Sequence, residues 1–340
     1  MRSTLLLFPL LAGIAATAQA AGPTALTPQQ RSEFAAEVAK EHGVSAAAVE
    51  AVLGQARYQQ SIIDAITRPA EAKPWKAYRP IFLTPQRIAD GRAFLAQHRE
   101  ALTQVEADTG VPAEIVVAIL GVEISYGRIT GSYRVLDALY TLAFYYPKRA
   151  PFFRSELMHA FPLVRDEALD LSAIKGSYAG AMGWGQFMPS SYRAYAKDGD
   201  GDGKRDLFGS LPDVFASVAN YFVAHGWQRD QPVVVPAARA AKAQALKPET
   251  LEPTYSLLEL GNLGYRPRTA IGHAADATLL TLDGAQGEEY WIAFKNFYVI
   301  SRYNRSPLYS LAVYQLSQAI AEDEAATASR PQESKTVARP

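Results

Sequence analysis

Helix-start signals recur from residue 27 onward, and near residue 230 the pattern changes to short runs rich in β-branched and aromatic residues. That change of pattern constrains the fold more than any single motif. Many helices, a compact group of strands and one more helix describe a mainly α body carrying a small antiparallel sheet. Thr27-Pro28-Gln29-Gln30 supplies an N-cap, a proline at the first helical position and a capping-box glutamine. The helix it opens is expected to reach about His42 and to stop at Gly43. Ser45 caps a second, shorter helix. The three prolines of residues 68–83 predict an extended connection. Thr84-Pro85 opens a long helix ending before Gly110, and Val111-Pro112 opens another that reaches Ile124. From 133 to 171 the pattern stays helical, with turns near Pro147 and Pro151 and at Pro162. QPVVVPA, ATLLTLDG and EEYWIAFKNFYVISRY then predict a sheet over 231–299. A last helix over about 306–322 returns to the helical body. The polar tail 323–340 is expected to be disordered. The parts expected are an N-terminal helical part with its connection (21–83), a helical core (84–230), the β part (231–299) and the return to the core (300–322).

Residues 1–20 read as a leader rather than as part of the fold. Arg2 precedes an apolar stretch from Leu5 to Ala16, and Ala18-Gln19-Ala20 is a small-x-small cleavage signal. Pro9 and Gly13 interrupt the stretch, and it is shorter than the about 20 apolar residues a membrane-spanning helix needs. Export with cleavage after Ala20 is the expectation. The chain has no cysteine, so an exported form must be held by core burial, which 49% hydrophobic residues make feasible. It also lacks the residue that would carry a lipoprotein's lipid. Basic and acidic residues balance at 34 each, which asks for neither nucleic acid nor an anionic membrane. The 18 tyrosines suit sugar binding, though they fill ordinary cores equally well.

Three segments carry chemistry. In EIVVAILGVEISYG, helical spacing puts Val116, Ile119 and Glu123 on one face. A carboxyl on an apolar face is desolvated, its pKa rises, and it becomes a proton donor of the kind glycosidic cleavage requires. Spacing alone favours a plainer reading, a rim glutamate paired with Arg128 or Arg134. KGSYAGAMGWGQFMPSSY (175–192) mixes glycines with aromatic rings, Ser177 and Gln186. It fits a sugar-lined groove, and a glycine-rich helix junction over an aromatic core explains it as readily. Asp198, Asp200 and Asp202, followed by Gly203, match the start of an EF-hand loop. Gly209 stands at the twelfth position in place of the usual glutamate, and Asp206 at the ninth offers a compensating carboxylate. A calcium site of modest affinity is expected, against the alternative of a solvated acidic turn.

Taken together, VAILGVEISYGRITGSYRVLDALYTLAFYYPKRAPFF, KGSYAGAMGWGQFMPSSY, DGDGDG, SVANYFVAHGW and NFYVISRYNRSPLY resemble the B-type lytic murein transglycosylases, glycoside hydrolase family 103. The likeness covers most of residues 75–320. It implies a lysozyme-like helical core, a flanking helical part and a small β part. It also implies cleavage of the bond between N-acetylmuramic acid and N-acetylglucosamine without water. The muramic acid's C6 hydroxyl closes on C1 and leaves a 1,6-anhydro end. Glu123 matches the family's catalytic glutamate, which protonates the leaving oxygen and then accepts the C6 hydroxyl proton. The substrate's acetamido group is expected to help stabilise the positive C1.

Further positions carry over from the resemblance. Ser177, Gln186 and Phe187 fall where the family lines its sugar subsites, and Tyr78 matches a groove tyrosine. Tyr221, Tyr303, Asn304 and Tyr309 match further groove residues, with core packing still open for Tyr221 and Tyr309. Asp198, Asp200, Asp202 and the carbonyl of Lys204 match a cation loop whose last acidic ligand has no counterpart here, where Gly209 and Ser210 stand. No cofactor is needed for the chemistry; calcium would be structural. The expected form is a soluble periplasmic monomer without a lipid anchor. Its substrate is the peptidoglycan glycan strand, and other cell-wall enzymes are candidate partners. A hydrolytic muramidase would need a second carboxylate, for which Asp137 and Glu156 are nearest in sequence. A non-catalytic peptidoglycan-binding protein is the reading from another class.

Overall fold

The computed structural model describes residues 26–68, 73–272 and 276–328. The expected leader and residues 329–340 lie outside the described residues. Helix α1 (Pro28–His42) starts on the capping box, with Gln30 N donating to Thr27 Oγ1 at 3.2 Å and Thr27 N to Gln30 Oε1 at 2.9 Å. It ends on Gly43 at φ 63°. Helices α2 (Ala46–Leu53) and α3 (Gln60–Ile66) follow. The segment expected to be extended contains a helix, α4 (Trp75–Phe82), with Pro80 inside it. Burial of Trp75 and Tyr78 on one face outweighs the backbone bond that Pro80 cannot make.

The long helix expected over 84–109 is two, α5 (Pro85–Gln97) and α6 (Arg99–Thr109). His98 leaves helical geometry at φ −113° and ψ 21°. Its ring packs on Phe94 and on Phe215, with centroids 4.5 and 5.7 Å away. That packing turns α6 toward the helix carrying Phe215. Next comes α7 (Ala113–Ile124), which buries Val116, Val117, Ala118, Ile119 and Leu120 completely and is a core helix on all sides.

Strand β1 (Tyr133–Arg134) leads into α8 (Val135–Tyr145) and α9 (Ala150–Asp166). Helix α9 passes straight through Pro162, where a turn was expected, because Phe161, Pro162 and Leu163 are all buried in the core. Strand β2 (Lys175–Gly176) pairs with β1, Tyr133 opposite Gly176. Helices α10 (Pro189–Tyr195) and α11 (Leu211–Ala224) complete this half.

Strands β3 (Val234–Arg239), β4 (Tyr265–Pro267), β5 (Thr278–Gly284) and β6 (Gly287–Ala293) form one antiparallel sheet in the order β4-β3-β6-β5, with α12 (Leu257–Asn262) between β3 and β4 in the chain. The sheet has its own small core around Tyr265, Leu279, Ile292 and Phe294. The β reading extends too far in one place: NFYVIS is helical, in α13 (Lys295–Tyr303). Short apolar runs fit either periodicity, and burial of Phe297, Val299 and Ile300 in the main core decides for the helix. Helix α14 (Pro307–Ala328) returns to pack on α7, α5, α4 and α13. It continues past residue 322, so 323–328 are helical where disorder was expected. Among the described residues, no helix is long and apolar enough to cross a membrane.

Candidate active site

Glu123 is the penultimate residue of α7, and the backbone behind it turns hard. Ser125, Tyr126 and Gly127 take φ values of 50°, 56° and 90° in succession. Left-handed conformation at two non-glycine residues costs about 1–3 kcal/mol each and persists only where packing enforces it. Tyr126 provides that enforcement. Its hydroxyl donates to Arg87 O at 3.0 Å, while Arg87 Nη1 donates to Gly121 O at 2.8 Å. A Cβ on Gly121 would meet the Tyr126 oxygen at 2.5 Å, so the glycine makes room for the latch.

The Glu123 side chain is half-buried, and its Oε1 accepts a 2.6 Å hydrogen bond from the Tyr309 hydroxyl on α14. Burial of the carboxyl group pushes its pKa from 4.5 up to about 7, against the Tyr309 hydrogen bond, which lowers it. The negative end of the α7 dipole acts in the same direction as burial. Among the described residues no cation offsets this. Arg128 pairs with Asp90, and Arg134 with Asp137 at 3.3 Å, so both arginines of the rim-pair reading are engaged elsewhere. The two carboxylates weighed as partners are also committed. Asp137 accepts Arg57 N at 2.9 Å as well as Arg134. Glu156 accepts Ser190 N at 2.9 Å and Ser190 Oγ at 2.7 Å.

A layer of tyrosines surrounds the carboxyl group. Burial raises the Tyr309 and Tyr303 hydroxyls well above the usual range, and the Glu123 carboxylate raises them further; Tyr78 acts on Tyr309 in the same way. Tyr78 on α4 and Tyr309 on α14 are both buried. Tyr303 donates to Gly185 O at 2.5 Å, and Tyr221 on α11 donates to Arg302 O at 2.6 Å. Their rings meet edge to face at 4.9 Å, and Phe187 lies 5.8 Å from each. Tyr221 and Phe187 are buried and pack beneath the site, whereas Tyr303 and Asn304 are half-buried. The Asn304 amide makes no hydrogen bond among the described residues.

The glycine-rich segment packs closely on the turn that follows Glu123. A Cβ on Gly127 would strike the Trp184 ring, and one on Gly131 would strike the Gly176 carbonyl. Those approaches set β2 and Ser177 beside the turn after α7. Ser177 Oγ accepts from Ala179 N at 3.2 Å and Ala181 N at 3.1 Å, which leaves its hydroxyl proton free to donate. Gln186, at φ 49°, spends its amide N–H groups on Gly183 O at 2.9 Å and Thr130 O at 3.4 Å and keeps its side-chain oxygen free. The sequence thus yields one cluster of Glu123, Tyr78, Tyr303 and Tyr309, with the Ser177 and Gln186 segment alongside.

The acidic loop is a separate site. Asp198, Asp200 and Asp202 are exposed and present oxygens within 4.8 Å of one another, a donor set that fits a hard cation. Asp206 is not in that group; its Oδ1 accepts from Phe208 N and Gly209 N at 2.8 and 2.9 Å. Backbone N–H groups of its own turn hold it away from the other three. Ser210, where the last acidic ligand was sought, donates to Asp200 Oδ2 at 2.8 Å. Sequence reasoning missed Asp213. It is fully buried on α11 and accepts Gly199 N at 2.8 Å and Asp206 N at 2.7 Å, clamping both ends of the loop. Ser210-Leu-Pro-Asp213 signals a helix start but carries no trace of that reach.

The model of the transglycosylase SLT domain family matches residues 27–318. Membrane-bound lytic murein transglycosylase B of Escherichia coli (strain K12) is 41% identical over 299 residues, spanning 85% of this chain and 82% of that relative. The catenated form of SltB1, a lytic transglycosylase from Pseudomonas aeruginosa, superposes with a TM-score of 0.82 at 46% identity, covering 87% of this chain and 98% of its own. Escherichia coli lytic transglycosylase Slt35, solved in complex with calcium, gives a TM-score of 0.79 at 40% identity over 87% of this chain and 93% of its own. SltB3 from Pseudomonas aeruginosa, solved with NAG-anhNAM-pentapeptide, gives 0.76 at 32% identity over 86% and 79%.

Proposed function

This chain belongs to the transglycosylase SLT domain family, and from that premise we propose that it is a lytic transglycosylase cleaving the N-acetylmuramic acid–N-acetylglucosamine bond of peptidoglycan to leave 1,6-anhydro ends. One observation carries the reading: the desolvated carboxyl group of Glu123 is held by Tyr309, with neither a cation nor a second carboxylate acting on it among the described residues. A group of pKa about 7 is near half-protonated at neutral pH, so it donates to the leaving oxygen and then serves as a base of matched strength. Water-activating hydrolysis or a covalent intermediate calls for a second carboxylate. Asp137 and Glu156 are both tied into structural hydrogen bonds. The C6 hydroxyl of the substrate supplies the nucleophile instead, and Glu123 takes its proton.

The remaining roles follow from which atoms are free. Tyr309 holds the Glu123 carboxyl. Ser177 donates its hydroxyl proton, Gln186 accepts through its side-chain oxygen, and Asn304 offers an unengaged amide. Tyr303 presents ring surface, Phe187 and Tyr221 support it from below, and Tyr78 is buried beside Tyr309 and packs behind it. Asp198, Asp200, Asp202 and the Lys204 carbonyl would hold a calcium ion that stiffens the loop and takes no part in the chemistry. Residues 1–20 act as an export signal that delivers the chain to the periplasm. The test is Glu123→Gln: turnover of peptidoglycan is lost while glycan binding survives, and near-normal turnover would overturn the assignment.

A further inference from the structure

The turn behind Glu123 is held by more than the Tyr126 latch. Ser125 N donates to Gly121 O and Tyr126 N to Leu120 O, both at 3.2 Å, so the left-handed residues 125–127 are also the cap that closes α7. Glu123 sits in the chain between those carbonyls and the cap. Two left-handed non-glycine residues persist only while their surroundings enforce them. Loss of a packing partner lets the cap relax, and the last turn of α7 moves with the Glu123 carboxyl.

Trp184 is such a partner. The ring atoms that a Cβ on Gly127 would strike are Cη2, Cζ2 and Cζ3, the outer edge of the indole. Phe94 lies 6.2 Å from the Trp184 ring and stacks on the Tyr126 ring at 5.7 Å, so it joins the two holds on the turn. Trp184 is itself anchored to the end of the acidic loop. Its backbone N donates to Leu207 O at 2.9 Å and its Nε1 to Phe208 O at 3.2 Å. That loop end is fixed in its turn. The Tyr192 hydroxyl donates to Arg205 O and accepts from Leu207 N at 3.1 Å, and Asp213 accepts Asp206 N at 2.7 Å. Tyr192 and Asp213 are fully buried, whereas Trp184 is half-buried and tied at both ends. A rigid base carries the indole, and the indole carries the turn.

We infer that Trp184 is a positioning residue for Glu123: anchored on Leu207 and Phe208, its outer ring holds the turn at 125–127 and keeps the Glu123 carboxyl on Tyr309. It acts through the turn rather than on the substrate. The inference rests on the reading of Glu123 as acid and base, and it adds what sets that group in place. Among the described residues, the titratable groups that act on Glu123 or feel its charge are Tyr309 and Tyr303. Both hydroxyls are held well above the usual tyrosine range, so the carboxyl reports a single titration.

The test compares Trp184→Phe with Trp184→Tyr. Phenylalanine lacks the outer atoms that meet Gly127, whereas the tyrosine hydroxyl reaches about as far as they do. Both variants lose the Nε1 bond and keep an aromatic ring, so they differ in the contact alone. The Glu123 carboxyl carbon is titrated by NMR in glutamate-labelled protein, its signal assigned by its absence from Glu123→Gln. In parallel, kcat and KM are measured on soluble peptidoglycan strands. With the turn loosened, water reaches the carboxyl group. Trp184→Phe should therefore titrate at a pH about one unit lower than the wild type, moving from about 7 toward 4.5. Its kcat should fall about tenfold with KM little changed. Trp184→Tyr should stay close to the wild type in both. If Trp184→Phe titrates with the wild type, or if the two variants shift equally, the positioning role is overturned whatever happens to thermal stability. A shift in Trp184→Phe that Trp184→Tyr does not share, in a protein that cleaves no strand, leaves the role standing and removes the transglycosylase reading instead.

Discussion

Glu123→Gln should stabilise the protein at alkaline pH and do little at acid pH. In the folded protein the carboxyl group titrates at about 7 against 4.5 for an unhindered glutamate. At about 1.4 kcal/mol per pKa unit, that difference is worth on the order of 3 kcal/mol, trimmed toward about 2 by solvent on the open side of the half-buried group. The sign follows from proton binding. Between pH 4.5 and about 7 the folded state holds a proton that the unfolded state has released, so stability falls as pH rises through that window. Glutamine has no proton to lose and escapes the loss. Urea unfolding of both proteins, followed by circular dichroism at about pH 4 and about pH 8, isolates the term, because every other titrating group cancels in the difference. The variant's advantage should grow by about 2–3 kcal/mol between the two pH values. An advantage that does not change with pH would refute the idea that Glu123 is held in a desolvated site.

Two further outcomes are expected. Tyr309→Phe removes the hydroxyl that favours the Glu123 carboxylate, so the alkaline limb of the pH–kcat/KM profile should move to higher pH; a shift to lower pH would contradict the 2.6 Å contact as the cause. Calcium at a hundredfold excess over Kd should raise the wild-type unfolding free energy by about 2–3 kcal/mol, seen as a higher unfolding midpoint, and should not raise that of Asp200→Ala. Equal response of the two proteins would leave the acidic loop as a solvated turn.

What the sequence made legible was local. The apolar face that carries Glu123, the spacing of Asp198, Asp200 and Asp202, and the glycine spacing of 175–187 are all written within a few turns of chain. What it hid was decided by contacts between distant segments. Tyr309 reaches Glu123 across 186 residues, and no local pattern marks which tyrosine of many will do so. The helix at 75–82 exists because Trp75 and Tyr78 find a core, and Pro162 stays helical for the same reason. The break at His98 answers to Phe215 on a helix that begins over a hundred residues later. Asp206 matched a ligand position by count, yet its own turn supplies nearer partners.

The central claim is that Glu123 acts without a second carboxylate and without water. Mass spectrometry of fragments released from purified peptidoglycan sacculi tests it most directly. The account predicts glycan fragments ending in 1,6-anhydromuramic acid, one water lighter than reducing-end fragments. Reducing ends would contradict it and require a water-activating carboxylate, which the described residues do not place beside Glu123.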